Sequence, residues 1–187
     1  MTYSQLIDLA INTAVAGTDV DNNPILKQSL EAQGIVDQAF HALATIVAGN
    51  PELRARLEKQ FSVSVTSGVG ALPAGILTEY LREGAVRDSD QSLFTSGNPY
   101  SRIKYANDFF TDSQTLLARY CLVDNQIFAA QPGMTDYTQF SGTLTIDAPF
   151  VPTKTDISTT VPDEIADNLV VQLATRLKGM IPAMVAT

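Results

Sequence analysis

Three oxygen-bearing side chains near the N-terminus, Asp19, Asp21 and Asn23, have the spacing of a calcium-binding loop. Calcium takes about six to eight oxygen ligands, and its loop needs glycine at the sixth position and a bidentate glutamate at the twelfth. Pro24 and Leu30 stand at those positions instead. The pattern therefore predicts a turn followed by a helix cap, and no metal site.

The chain has one histidine, His41, and one cysteine, Cys121. One of each cannot build a zinc site within one chain. A single cysteine also excludes an intramolecular disulfide, which fits a reducing compartment. A nucleophile and base pair would have to recruit His41 from inside a helical segment, between Phe40 and Ala42. We expect instead a histidine that packs within its helix and plays a structural part.

The remaining chemical motifs have simpler explanations. The glycines of GVGALPAG lack the spacing and the following helix of a dinucleotide-binding loop. The carboxylates of Asp163, Glu164 and Asp167 fall in the first turns of the last predicted helix, where they complement its dipole. The best aromatic and basic cluster is small and is diluted by Asp108; it consists of Tyr100, Arg102, Lys104 and Tyr105. We therefore predict no catalytic, metal or cofactor residue, and a protein that is not an enzyme.

Composition narrows the class of protein. The 187 residues suit one domain, with 45% hydrophobic residues, enough for a core, and only 17% charged residues, below the usual quarter. A surface so poor in charge suits a protein that packs against neighbours. The net charge of -8 argues against a protein that binds nucleic acid through its phosphates. We expect no signal peptide and no membrane-spanning segment.

Residues 1–60 are predicted to form a helical hairpin or bundle. Apolar residues recur at helical spacing from Thr2 to Ala16. A second helix is predicted from Pro24 to Ala48, capped by Asn23 and stopped by Gly49. A third, PELRARLEKQ, follows the same cap-and-proline start.

Residues 61–160 are predicted to form an inserted antiparallel β domain. Alternation of apolar and small polar residues predicts strands in FSVSVTSG and GTLTIDAPFV. ILTEYLREGAVRD fits either a strand or a short helix, and DSDQSLFTSGNP is expected to be a long surface loop. A hairpin is predicted from Leu116 to Ala130, turning at Asp124 and Asn125, two residues that tolerate positive φ.

The chain ends in a predicted amphipathic helix over 161–179, which packs on the N-terminal helices. Thr160 and Asp163 suggest a capping box, and Gly179 is expected to end the helix. The apolar stripe of this helix consists of Ile165, Leu169, Leu173 and Leu177. Residues 180–187 are predicted to be an extended apolar tail that docks on a partner, with Met180, Ile181, Pro182, Met184 and Val185 at the interface. The alternative is that this tail folds back onto the core of its own subunit. The fold class is therefore α+β.

The helices that begin with LIDLAINTAV, the inserted β segment and the late helix PDEIADNLVVQLATRL together resemble the head-to-tail connector (adaptor or neck) proteins of tailed bacteriophages. The segments GALPAGILTEYLREGAV and LARYCLVDNQIFAAQPG are similar to phage structural proteins of this kind. The resemblance covers most of the chain as a pattern of elements. The β insertion is longer than that of a minimal connector.

The resemblance implies a structural virion protein, assembled in the host cytoplasm and built into a homo-oligomeric ring of about twelve subunits. Such a ring docks beneath the portal protein, contacts downstream tail or neck proteins and lines the passage through which DNA leaves. DNA would pass without specific binding, and acidity fits that role, because an acidic lumen repels phosphate. Two alternatives stay open: a tail-associated β module that binds a peptide or glycan, and a hydrolase whose site the residue pattern does not reveal.

Overall fold

The computed structural model describes residues 1–16, 24–96, 118–131, 134, 137–153 and 159–185. It confirms the α+β class. The chain divides into two compact units: a helical unit of Met1–Leu57 with Val151–Thr187, and a β unit of Glu58–Phe150. The two ends of the chain thus belong to the helical unit, and the β unit is inserted between them.

The helical unit contains five described helices: α1 (Tyr3–Ala16), α2 (Pro24–Ala32), α3 (Ile35–Gly49), α4 (Pro51–Arg56) and α5 (Asp163–Val185). Helix α5 packs against α1, α2 and α3. The starts of α1 and α5 are tied together, because Thr2 forms a β-bridge with Thr160 and the N-terminal amine lies 3.2 Å from Asp163 Oδ1. Thr160 therefore pairs with the N-terminal segment, and the predicted capping box is wrong, since α5 begins only at Asp163.

Two predicted helix boundaries are wrong. The long helix over 24–48 is divided in two at Gly34, whose left-handed φ of 83° separates α2 from α3. The helix predicted to reach Gln60 ends at Arg56, because residues from Glu58 onward pair with a strand. Its start is as predicted: Asn50 Oδ1 accepts hydrogen bonds from the backbone N–H groups of Glu52 (3.0 Å) and Leu53 (3.3 Å).

The β unit contains seven described strands: β1 (Glu58–Val65), β2 (Val69–Ala71), β3 (Val86–Asp88), β4 (Phe94–Ser96), β5 (Ala118–Val123), β6 (Gln126–Ala130) and β7 (Gly142–Pro149). One sheet has the order β1-β7-β3 and the other β2-β6-β5-β4. The predicted strands around Val63 and Leu144 are confirmed, and both side chains lie in the core between the sheets. The ladder between β4 and β5 is parallel, a departure from the predicted antiparallel domain.

Tight turns join the two sheets at both edges. Ser67 and Gly68, with φ of 48° and 75°, connect β1 to β2 through paired hydrogen bonds between Thr66 and Val69. At the other edge the Asp88 carboxylate, 7% exposed, accepts from the backbone N–H groups of Asp90 and Ser92, both at 2.9 Å. This second turn sets Arg87 against Leu93, just before β4. The turns thus link the edge strands β1 to β2 and β3 to β4. The strand Phe94–Ser96 replaces part of the predicted surface loop.

Candidate functional site

The predicted turn residues form the hairpin turn between β5 and β6. Asp124 and Asn125 have φ of 49° and 59°, the pair of left-handed conformations that defines the type of turn preferred between two antiparallel strands. The β5–β6 ladder runs from Arg119 opposite Ala130 to Val123 opposite Gln126. The hairpin prediction is confirmed over these residues, while Leu116 lies outside the described part of the chain.

The predicted apolar stripe of α5 faces the core of the helical unit. Leu169, Leu173 and Leu177 are fully buried and Ile165 is 6% exposed. Spacings of four residues place these side chains on one side of the helix, toward α1 and α3. The stripe thus holds the two ends of the chain together and is not available to a partner.

The prediction that residues 180–187 are extended is wrong over 180–185, and the burial of Ile181 fits the alternative of a tail that packs on its own unit. Helix α5 continues through Gly179 and Pro182 to Val185, and Ile181 is only 2% exposed. Ile181 lies four residues beyond Leu177 and continues the same stripe, so its burial contributes about 1.5–3 kcal/mol. Proline lacks only one helix hydrogen bond near this end, and a glycine costs about 1 kcal/mol relative to alanine. Of the other interface residues, Met180 and Met184 are partly buried and Pro182 is exposed. The side chain of Val185 and residues 186–187 lie outside the described part of the chain.

His41 and Cys121, the two side chains considered as a nucleophile and base pair, lie in different units. His41 lies on α3 and is exposed, so the prediction that it packs within its helix is wrong; Ile35 and Ala42 are among the residues of α3 that are buried. The Cys121 thiol is buried on the outer side of β5, beside Phe128. The calcium-like run at 19–23 and the aromatic and basic cluster at 100–105 lie outside the described residues. Within the described residues, no group of three His, Cys, Asp or Glu side chains is placed to hold a metal ion.

The outer side of α5 carries a line of uncharged residues. We call these residues the α5 spine: Asn168, Val171, Thr175, Gly179 and Pro182, all exposed and spaced by three or four positions. Val171 is 63% exposed, the highest value among the large exposed hydrophobic side chains of the described residues. The exposed charged residues Asp167, Arg176 and Lys178 flank the spine, and Glu164 lies one turn before its start. An apolar side chain this open, in a row without charge, is a surface suited to contact with another protein.

The exposed side of α1 is similar in character. Leu9 is 44% exposed. Its exposed neighbours on the helix are Gln5, Asp8, Asn12, Thr13 and Ala16, of which only Asp8 is charged. The helical unit therefore presents a face of α1 with one charged residue and, on α5, a line of uncharged residues between charged ones.

The β unit holds a cleft of about 550 Å³, a volume within the range of ligand sites. One wall is the segment 78–84, and the other consists of Phe94–Ser96 with Tyr120 and Leu122 of β5. Burial raises the pKa of the Tyr120 phenol, and a side-chain hydrogen bond with Ser96 opposes that rise. Tyr120 is therefore a neutral hydroxyl at the wall of the cleft.

Two arginines form ion pairs at the sheet that carries β1, β7 and β3. Arg87 Nη2 forms an ion pair with Asp147 Oδ2, and Gln60 Nε2 donates to Asp147 Oδ1 at 3.1 Å. Arg82 pairs with Glu58. The contacts of Arg87 and Gln60 join β3 and β1 to β7, and the Arg82–Glu58 pair joins the segment before β3 to β1. Arg87 Nε is buried without a hydrogen-bond partner among the described residues.

Sequence reasoning missed the cleft because its second wall is β4, which lay in a stretch expected to be a loop. One signal was available: Leu93 and Phe94 are large apolar residues in an otherwise polar stretch, and Phe94 is 1% exposed. None of the described helices is long and apolar enough to cross a lipid bilayer. Comparison with models of protein families gives no match, and no curated protein is similar in sequence to this chain.

Proposed function

We propose that this chain is a structural virion protein, a subunit of the head-to-tail connector (adaptor or neck) ring of a tailed bacteriophage. In this role it docks beneath the portal protein, joins the capsid to the tail and lines the passage for DNA. Its place is then the virion, after assembly in the host cytoplasm. The observation that carries the proposal is the α5 spine, a line of uncharged residues with Val171 63% exposed.

A ring subunit must bury surface against two neighbours, and a charge-poor face lowers the desolvation cost of doing so. The spine runs along most of α5, from Asn168 to Pro182. That helix rises about 1.5 Å per residue, so the spine is about 20 Å long. Leu9 on α1 supplies a further apolar contact. In this proposal the subunits make contact through the faces of α5 and α1. The tail predicted to dock is not used, because Ile181 is buried in its own unit.

The overall acidity fits the passage of DNA. The formal charge is -8, with 20 acidic against 12 basic residues. Ring assembly multiplies this charge around a central channel, which repels phosphates and keeps the passing duplex from adhering. We therefore expect no binding of duplex DNA even at low ionic strength, measured by fluorescence anisotropy. Binding that weakens steeply with added salt would contradict this part of the proposal.

The test of assembly is the oligomeric state of the purified protein, alone and mixed with the portal protein of the same virion. We expect rings with rotational symmetry in electron micrographs and a matching mass by native mass spectrometry. The variant Val171→Asp should abolish these rings while the monomer keeps its melting temperature, because an aspartate on the spine would be buried without a partner. A chain that stays monomeric at every concentration, and also in the presence of the portal, would refute the connector role.

A matched control separates the spine from a general effect of added charge. Gln38 is exposed on α3 of the same helical unit. The variant Gln38→Asp adds the same charge away from the spine and should assemble as the wild type does. Equal loss of assembly in both variants would place the contact elsewhere and remove the support that the spine gives.

A further inference from the structure

The cleft of the β unit lies where a strand ladder stops short. Arg87 and Leu93 form the bridge that begins the pairing of β3 with β4. Continuing that antiparallel register would set Val86 opposite Phe94 and Ala85 opposite Thr95. Over the described residues the ladder does not continue, and β4 pairs only with β5 beyond that bridge. We call the resulting gap, between 83–85 and Thr95–Ser96, the seam.

The chain before β3 is drawn away from β4 by its own hydrogen bonds. Gly84, with a φ of 76°, turns the backbone, and the Ala85 N–H donates to the Arg82 carbonyl at 3.1 Å. The Ala85 carbonyl accepts from the Asp147 N–H at 2.9 Å, on the side of β7. At the other end of the segment, the Leu77 N–H donates to the Pro149 carbonyl at 2.9 Å. Both ends of this wall are therefore fixed, and the seam stays open.

The edge of β4 that faces the seam offers backbone hydrogen bonds. In a strand, successive residues direct their N–H and C=O groups to opposite sides. Since β5 takes one side of Phe94–Ser96, the alternate groups point toward the seam. Strand edges of this kind pair readily with another extended chain. Side chains on the walls supply an apolar floor from Leu81, Phe94 and Leu122.

The rim of the cleft is acidic. Glu79 and Glu83 line it, both are exposed, and neither takes part in an ion pair within the described residues. Arg82, the basic residue at the rim, is already paired with Glu58. A ligand that enters the seam therefore meets uncompensated negative charge at its ends. Lysine or arginine side chains in the ligand complement that charge.

We propose that the seam binds an extended segment of another polypeptide, which adds as a strand along β4. The segment places an apolar side chain on the floor of the cleft and a lysine or arginine at the rim beside Glu79 and Glu83. Main-chain hydrogen bonds give the affinity and the pocket gives the selectivity, as in other cases of strand addition. The site belongs to the β unit alone, so it stands whether or not the helical unit assembles into rings.

The first experiment selects ligands from a displayed library of short random peptides on the full-length protein. We expect the selected peptides to alternate apolar and polar residues, to be rich in β-branched residues and to carry lysine or arginine. With a synthetic copy of the best peptide, amide shifts in NMR spectra of the labelled protein should centre on Thr95, Ser96 and the segment 78–84. Shifts confined to other surfaces, acidic selected peptides, or no selected peptide at all would overturn the proposal.

A modified peptide and a variant of the protein then test how the peptide binds. A copy of the peptide with N-methylated amides at alternate positions should lose binding, because it cannot pair with β4. The double variant Glu79→Gln and Glu83→Gln should bind the basic peptide about threefold to tenfold more weakly at low salt. Both residues are exposed, so the variant should fold as the wild type does. The control Asp124→Asn removes a carboxylate from the β5–β6 turn and should leave the affinity unchanged.

A peptide that binds equally well when N-methylated would show contact by side chains alone, which contradicts strand addition. Equal affinity for the double variant and the wild type would contradict the role of the rim. Binding of a carbohydrate in the cleft, with no effect of any peptide on the same NMR signals, would assign the site to the other ligand class and overturn the proposal.

Discussion

Tyr3 is the first residue of α1 and is fully buried, and its hydroxyl has no hydrogen-bond partner among the residues that the structure describes. Burial raises its pKa from 10.0 to about 12. An unpaired buried hydroxyl destabilises the fold. We therefore expect Tyr3→Phe to raise the free energy of unfolding by about 1 kcal/mol. Tyr120→Phe is the contrast, because its hydroxyl is bonded to Ser96, and its removal should lower stability.

Tyr3 also makes the free energy of unfolding depend on pH. The pKa is higher in the folded chain than in the unfolded chain, so the unfolded state loses its proton first as the pH rises. The contribution of Tyr3 to stability is therefore complete below pH 10 and is lost between pH 10 and about 12, at up to about 1.4 kcal/mol per pH unit. Chemical denaturation in this range should show that loss in the wild type and a smaller one in Tyr3→Phe. Parallel curves for the two proteins would contradict it.

Asn125 tests the hairpin turn. Its φ of 59° is a conformation that a β-branched side chain adopts only with strain. We expect Asn125→Val to lower the free energy of unfolding by about 1–2 kcal/mol. Asn125→Gly, which removes the strain, is the control and should melt near the wild-type temperature. An unchanged melting temperature in the valine variant would show that the turn tolerates another conformation.

At the scale of elements, substitutions at the end of α5 test whether this segment stabilises its own unit or docks on a partner. Ile181 is 2% exposed and Pro182 beside it is exposed. Ile181→Ala should cost about 2–3 kcal/mol of stability. Pro182→Ala should cost nothing, because alanine is about 3 kcal/mol better than proline inside a helix. If Ile181→Ala melts as the wild type does, the end of α5 does not pack as described.

The local sequence pattern predicted those elements whose turn residues, apolar spacing or caps lie within the element itself. The hairpin followed from Asp124 and Asn125, the apolar stripe of α5 from its spacing of four, and the start of α4 from the Asn50 cap. The elements missed depend on contacts distant in sequence. Phe94–Ser96 is a strand because Ala118–Tyr120 lies beside it, and α5 passes Gly179 because Ile181 finds a buried place. The seam depends on where the pairing of β3 with β4 ends, and the local sequence pattern does not predict that point.

At the scale of the whole molecule, the chain enters the β unit and leaves it at neighbouring positions. Glu58 pairs with Pro149, so the two connections to the helical unit start from neighbouring strands. We expect each unit to fold alone: residues 58–150 as one chain, and 1–57 joined to 151–187 by a short glycine and serine linker. Circular dichroism should show a β spectrum for the first and a helical one for the second, each with a cooperative melt. Failure of both to fold would show that the units depend on each other.

The pairing of Glu58 with Pro149 also sets how the β unit responds to mechanical force. Tension that pulls its two connections apart acts at one end of the β1–β7 ladder and across the strands. The hydrogen bonds then carry the load one pair after another, from Glu58 toward Val65, and never all at once. Ladders loaded in this way unzip at low force, whereas ladders pulled along the strands must shear. Because both ends of the chain belong to the helical unit, tension applied at those ends reaches the β unit only after the helical unit has opened, and the β unit would then extend at low force.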